Sequence, residues 1–204
     1  MKPHQLPEPD VLKKRWQSFA MLDAILSPEW ELRYFSFDAH WSSGETLGSV
    51  RDGQGSTMRC LFTEFGVVLS GFDIDHKKAA FALKASDLPK AFAAFAAEPA
   101  FESDKTSFCF YQEASAKNWT VAGPHAENSH EALTALLAMD AKAYTAWALE
   151  YYELMVDLDV VRRVFDCEPL TPEIVHALNP NAAMRDVKKD AKEIGYVVMR
   201  SLSR

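Results

Sequence analysis

The sequence predicts an α+β fold, an antiparallel β-meander covered by helices, and three observations lead there. Between Tyr34 and Phe72, apolar and polar residues alternate and glycine-containing turns separate the runs. Before and after that region, apolar residues recur at helical spacing. With 204 residues, 48% hydrophobic and 25% charged, the chain can bury one full core, so a single domain spanning 1–204 is expected: a helix over 10–26, a β-rich core over 33–122 with a helix at 87–97, and a helical part over 129–204.

Taken in order, Pro7-Glu8-Pro9-Asp10 closes an extended leader, and Asp10 can accept from the free amides of a first helical turn. Leu12, Trp16, Phe19, Leu22 and Leu26 then form an apolar stripe, which Ser27-Pro28 ends. In the first strand, Phe35, Phe37, Ala39 and Trp41 share one face and Tyr34, Ser36, Asp38 and His40 the other. Ser42-Ser43-Gly44 turns the chain into a weaker strand over Thr46–Arg51, and Asp52–Ser56 forms a loop. Thr57–Thr63 alternates again, Phe65-Gly66 makes a tight connection, and Val67–Phe72 is apolar on both sides, as suits a central strand.

Ser86-Asp87-Leu88-Pro89 starts a second covering helix with Phe92 and Phe95 on its apolar side. Thr106–Gln112 reads as a strand with Trp119–Ala122 as its partner, and Gly123-Pro124 ends the β-rich part. Asn128 and Glu131 make a capping pair for one long helix from Ser129 to Met155, roughly 40 Å at 1.5 Å per residue. Short helices follow at Val160–Phe165, capped by Asp157 or Asp159, and after Thr171-Pro172, ending before Asn179-Pro180. A last helix, Met184–Ile194, stops at Gly195.

Composition narrows the partners. The net charge of −7 argues against nucleic acid, whose phosphates need clustered Lys and Arg, and favours solubility or a basic partner. The segment Met184–Arg204 is +3, leaving −10 on the rest. Cys60, Cys109 and Cys167 have no paired spacing, and no run is long and apolar enough for a signal peptide or a membrane span. A cytoplasmic protein with no cofactor is expected, and no membrane partner.

Three groups of residues could carry chemistry. Tyr34, Ser36, Asp38 and His40, with Arg51 from the next strand, would place an acid, a base and a hydroxyl on one sheet face; a solvated polar face explains the same pattern. Asp73, Asp75 and His76 resemble a metal loop, but the remaining ligands would have to come from unidentified distant residues and a solvated turn explains the same pattern; His125 and His130 share that defect, so no metal site is assigned. Glu150, Glu153 and Asp157, interleaved with Tyr151 and Tyr152, would line one face of the long helix and suit a basic protein surface.

Trp41-Ser42-Ser43-Gly44-Glu45, Asp52-Gly53-Gln54-Gly55, Gly71-Phe72-Asp73, Pro169–Val175 and Ala177–Pro180 together resemble an uncharacterised family of bacterial proteins. The resemblance carries no activity and no functional residue. It implies a bacterial cytosolic setting, in which compact acidic proteins serve as immunity or partner-masking proteins. The expected function is therefore non-enzymatic binding of a basic protein, as an immunity-type inhibitor. The alternatives are a small-molecule-binding protein or hydrolase using the polar sheet face, and a homo-oligomer assembled through the aromatic-rich helix.

Overall fold

The computed structural model describes residues 6–124 and 130–199. Its elements are α1 (Pro9–Leu26), β1 (Phe35–Ser42), β2 (Glu45–Arg51), β3 (Thr57–Thr63), β4 (Gly66–Phe72), β5 (Phe108–Glu113), β6 (Thr120–Val121), α2 (Glu131–Leu136), α3 (Ala141–Tyr152), α4 (Leu158–Phe165), α5 (Pro172–Leu178) and α6 (Met184–Ile194). The strands form one six-stranded antiparallel meander in chain order, so the fold is α+β as expected. The chain packs as two compact units. The first holds Met1–Lys13 and His40–Ala138, the second Lys14–Ala39 and Met139–Arg204.

In the first unit, β4 lies between β3 and β5, and its Val67–Gly71 stretch is buried throughout. Register places Leu61 beside Leu47 and Val68, and that face is closed by Leu83, Leu88, Phe92, Phe95 and Phe101. The expected helix at 87–97 is instead a 3₁₀ segment, Lys90–Ala97. A three-residue period puts Phe92 and Phe95 in line, so both point at the sheet. On the opposite face, His130 lies edge-on to Phe108 and Phe110.

The second unit is helical, and the buried half of α1 is its centre. Phe19 stacks on Phe35 and Tyr144 and meets Phe165 edge-on. Ser18 Oγ donates to the Val164 carbonyl, Asn179 Nδ2 to that of Ile25, and Gln17 Nε2 to that of Ile194. Each of these bonds ties α1 to a different later segment. The expected stripe on α1 is exceeded: Ser18 to Ser27 is buried without a break, because helices surround it.

The predicted helix from Ser129 to Met155 does not form as one piece. It is divided into α2 and α3, and Asp140 caps α3 by accepting from the Ala143 amide at 2.8 Å. A carboxylate able to satisfy the first-turn amides makes a new helix start locally favourable inside a continuous apolar pattern. Asn128 and Ser129, named in that expectation, lie outside the described residues. The late short helices follow the sequence closely: Asp157 caps α4, Thr171 caps α5, and Gly195 ends α6 in the left-handed region.

One turn depends on a missing side chain. Gly66 follows the Glu64-Phe65 turn at φ 134, and a Cβ there would collide with the Gln112 carbonyl oxygen of β5. Gly66→Ala should lower unfolding stability by about 2 kcal/mol or more, combining a disfavoured φ with a backbone clash. Urea denaturation followed by tryptophan fluorescence measures it; an unchanged midpoint would show that the hairpin can shift away from β5.

Candidate functional site

The second unit is organised around a charge that the apolar spacing of α1 conceals. Asp23 is fully buried. Its Oδ2 accepts from the Phe35 amide at 2.7 Å and the Tyr34 amide at 3.1 Å, and its Oδ1 accepts from the Tyr144 hydroxyl at 2.7 Å. The Tyr152 hydroxyl also hydrogen-bonds to this carboxylate and accepts from the Tyr34 amide at 3.3 Å. Burial outweighs these donors and raises the Asp23 pKa to about 6. Burial followed by the adjacent carboxylate charge pushes both phenols, Tyr144 and Tyr152, above their ordinary range.

These bonds fasten α3 at two points, Tyr144 and Tyr152, two turns apart. An aromatic group grows from the second point. Trp147 stacks on Tyr151 with centroids 5.0 Å apart, and both rings lie 5.0 Å from Tyr34. Tyr152 meets Tyr151 edge-on at 4.8 Å. Beyond this support the chain leaves α3 with Glu153 in the left-handed region at φ 56, a conformation usual for Gly or Asn. Leu149, Tyr151 and Leu154 are exposed, and Met155 is 88% exposed. The stretch Leu149–Asp159 contains four acids and no Lys or Arg.

The predicted site residues fare unevenly. The two faces of β1 alternate as expected, with Phe35 and Phe37 buried and Ser36 and Asp38 half-buried. Tyr34 is a correction: it precedes β1 and is buried at 9% exposure, because its ring completes the aromatic group on α3. Ser36 lines a cavity with Arg33 and Asp190 of about 10 Å³, room for one water. His40 is exposed and Arg51 half-buried at the end of β2. Glu150, Glu153 and Asp157 do not share a helix face. Glu150 is in the last turn of α3, Glu153 is just past its end, and Asp157 caps α4 by accepting from the Asp159 and Val160 amides. The helix ends at Tyr152, so their expected periodicity is lost.

Elsewhere, Asp73 is buried, accepts from the Asp75 amide and pairs with His76 Nδ1 at 2.9 Å. Among the described residues, no three His, Cys, Asp or Glu side chains are grouped to hold a metal ion. Within the same residues, no helix is long and apolar enough to cross a membrane. His125 lies outside the described residues.

Asp23 gives the site a pH signature. Its folded pKa is raised above the ordinary 3.8, so its stabilising contribution is full below that value and is lost as pH rises through about 6. Relative to Asp23→Asn, the wild type should lose about 3 kcal/mol of stability between about pH 4 and pH 7. Parallel pH profiles for the two proteins in urea unfolding would contradict the assignment. Tyr144→Phe removes one donor to the carboxylate and should move the midpoint of that loss to higher pH. Comparison of the chain with family models, curated proteins and solved structures gives no match.

Proposed function

We propose that this chain is a non-enzymatic protein-binding module and that the corner Leu149–Asp159 is its recognition surface for a basic protein. The observation that carries the reading is the pairing of exposed Leu149, Leu154 and Met155 with four acids on a corner fixed from beneath by the Asp23 network. A methionine almost wholly in water stabilises nothing in the isolated chain, whereas apolar anchors ringed by charge suit a partner that desolvates the first and pairs the second. Glu153 adds support. A non-glycine residue at a left-handed helix end costs about 1 kcal/mol, and such strain persists where function requires the side chain. An immunity-type inhibitor, masking a basic enzyme, is the form of this activity that fits an acidic chain.

The hydrolase alternative has weaker support. Of its five residues, Tyr34 is buried, and the cavity beside Ser36 is too small for a substrate.

Two experiments bear on the proposal. The wild type should retain a basic protein saturably, with affinity falling as salt rises, and Glu150→Lys with Glu153→Lys should weaken binding by about tenfold or more. Met155→Ser should also weaken it, and retention unaffected by either change would overturn the reading. Separately, Glu153→Gly should raise unfolding stability by about 0.5–1 kcal/mol while reducing partner affinity. A variant that gains stability and binds as before would remove Glu153 from the surface.

A further inference from the structure

The last helix carries a charge pattern that its packing does not use. Val187, Ala191 and Ile194 are the buried side of α6, and Asp190 beside them bonds to Arg33 at 2.9 Å. Arg185, Lys188, Lys189 and Lys192 are exposed and fall together on the side turned away, because positions three and four apart are neighbours on a helix. Arg185 precedes Lys188 and Lys189 by three and four residues, and Lys192 follows them by four and three, so each of these neighbouring pairs is like-charged. Such spacings weaken a helix slightly, whereas alternating Glu and Lys would strengthen it. Arg185 bonds to Asp186 at 3.1 Å; among the described residues, Lys188 and Lys189 make no ion pair.

The chain just beyond α6 adds apolar surface. Val197 and Met199 are 61% and 56% exposed although their backbone is fixed. The Val197 carbonyl accepts from the Leu170 amide, and the Met199 amide donates to the Leu170 carbonyl, both at 2.9 Å. The corner Leu149–Asp159 has the converse composition. There Glu150 and Glu153 make no ion pair among the described residues and stand beside exposed Leu154 and Met155. Within one chain the two surfaces do not cover each other, since all of these side chains are in water.

We propose that the basic face of α6, with Val197 and Met199, docks on the corner of a second copy of this chain, where Lys188 and Lys189 pair with Glu150 and Glu153. This pairing rests on the corner being a recognition surface, and it makes a second copy that surface's basic partner. The corner is then covered at high concentration and open to other basic proteins at low concentration. An anionic lipid surface would engage α6 but leave Leu154 and Met155 in water, whereas a second copy supplies apolar contact as well as charge at both surfaces.

Sedimentation velocity of the full chain over micromolar to millimolar concentrations should show reversible self-association. Lys188→Glu with Lys189→Glu, and separately Glu150→Lys with Glu153→Lys, should each weaken it by about tenfold or more, with circular dichroism and thermal unfolding as the check on the fold. Lys188→Gln with Lys189→Gln should weaken it in the same direction and serves if the reversal loosens α6. Mixing the two reversed proteins should restore association between them, because the basic corner of one meets the acidic α6 of the other. A wild type that stays monomeric throughout overturns the proposal, and if it still retains a basic protein saturably, the corner keeps its role as a recognition surface. Association untouched by either reversal, a mixture that fails to restore it, or a monomer captured through Lys188 and Lys189 by phosphatidylserine vesicles overturns it as well.

Discussion

A single carboxylate in the otherwise apolar stretch Phe19–Leu26 of α1 determines how the second unit is assembled. Asp23 accepts from the backbone at the entry to β1 and from two phenols on α3. α1, the entry to β1 and the distant α3 are thereby brought to one pair of oxygen atoms. Hydrophobic burial is non-directional and would tolerate α3 rotated or shifted along α1. A buried acceptor with four donors does not, since any slip leaves a charge in a medium that cannot solvate it. The network therefore sets the register of the helical unit.

That register determines what reaches the surface. With Tyr144 and Tyr152 both directed at Asp23, Trp147 and Tyr151 fall between them on one side and stack, and the chain beyond Tyr152 is turned outward. Leu154 and Met155 then have no interior to enter. The exposed apolar corner is thus a consequence of buried polar geometry. Arg33 extends the same logic, donating to the Ser27 and Pro28 carbonyls and to Asp190, which ties the α1–β1 connection to α6.

Local signals made much of the fold legible in the sequence. Alternation in Phe35–Trp41, the run Thr57–Thr63 and the glycine after Ile194 correspond directly to β1, β3 and the end of α6. The break at Asp140 was not legible from apolar spacing, because Leu133, Leu137, Tyr144, Trp147, Ala148 and Tyr151 recur at helical spacing across it; the capping carboxylate was the available sign. The site was less legible. Tyr34 belongs to the alternating pattern by position yet is claimed by aromatic packing from more than a hundred residues away. Asp23 did leave a trace, as the one charge within Phe19–Leu26, but its partners are distant in sequence and its role needed three dimensions.

The interleaving of the two units has a consequence for biosynthesis. Lys14–Ala39 belongs with Met139 onward, and strands β2 to β6 are made between them. On a ribosome adding about 5–20 residues per second, the nascent α1 must wait on the order of ten seconds for the helices that enclose it. During that interval its most apolar turns and Asp23 are together in water, where the carboxylate is fully hydrated and disfavours premature collapse. The acid that later fixes the helical register can in this way serve as a solubilising group on the emerging polypeptide.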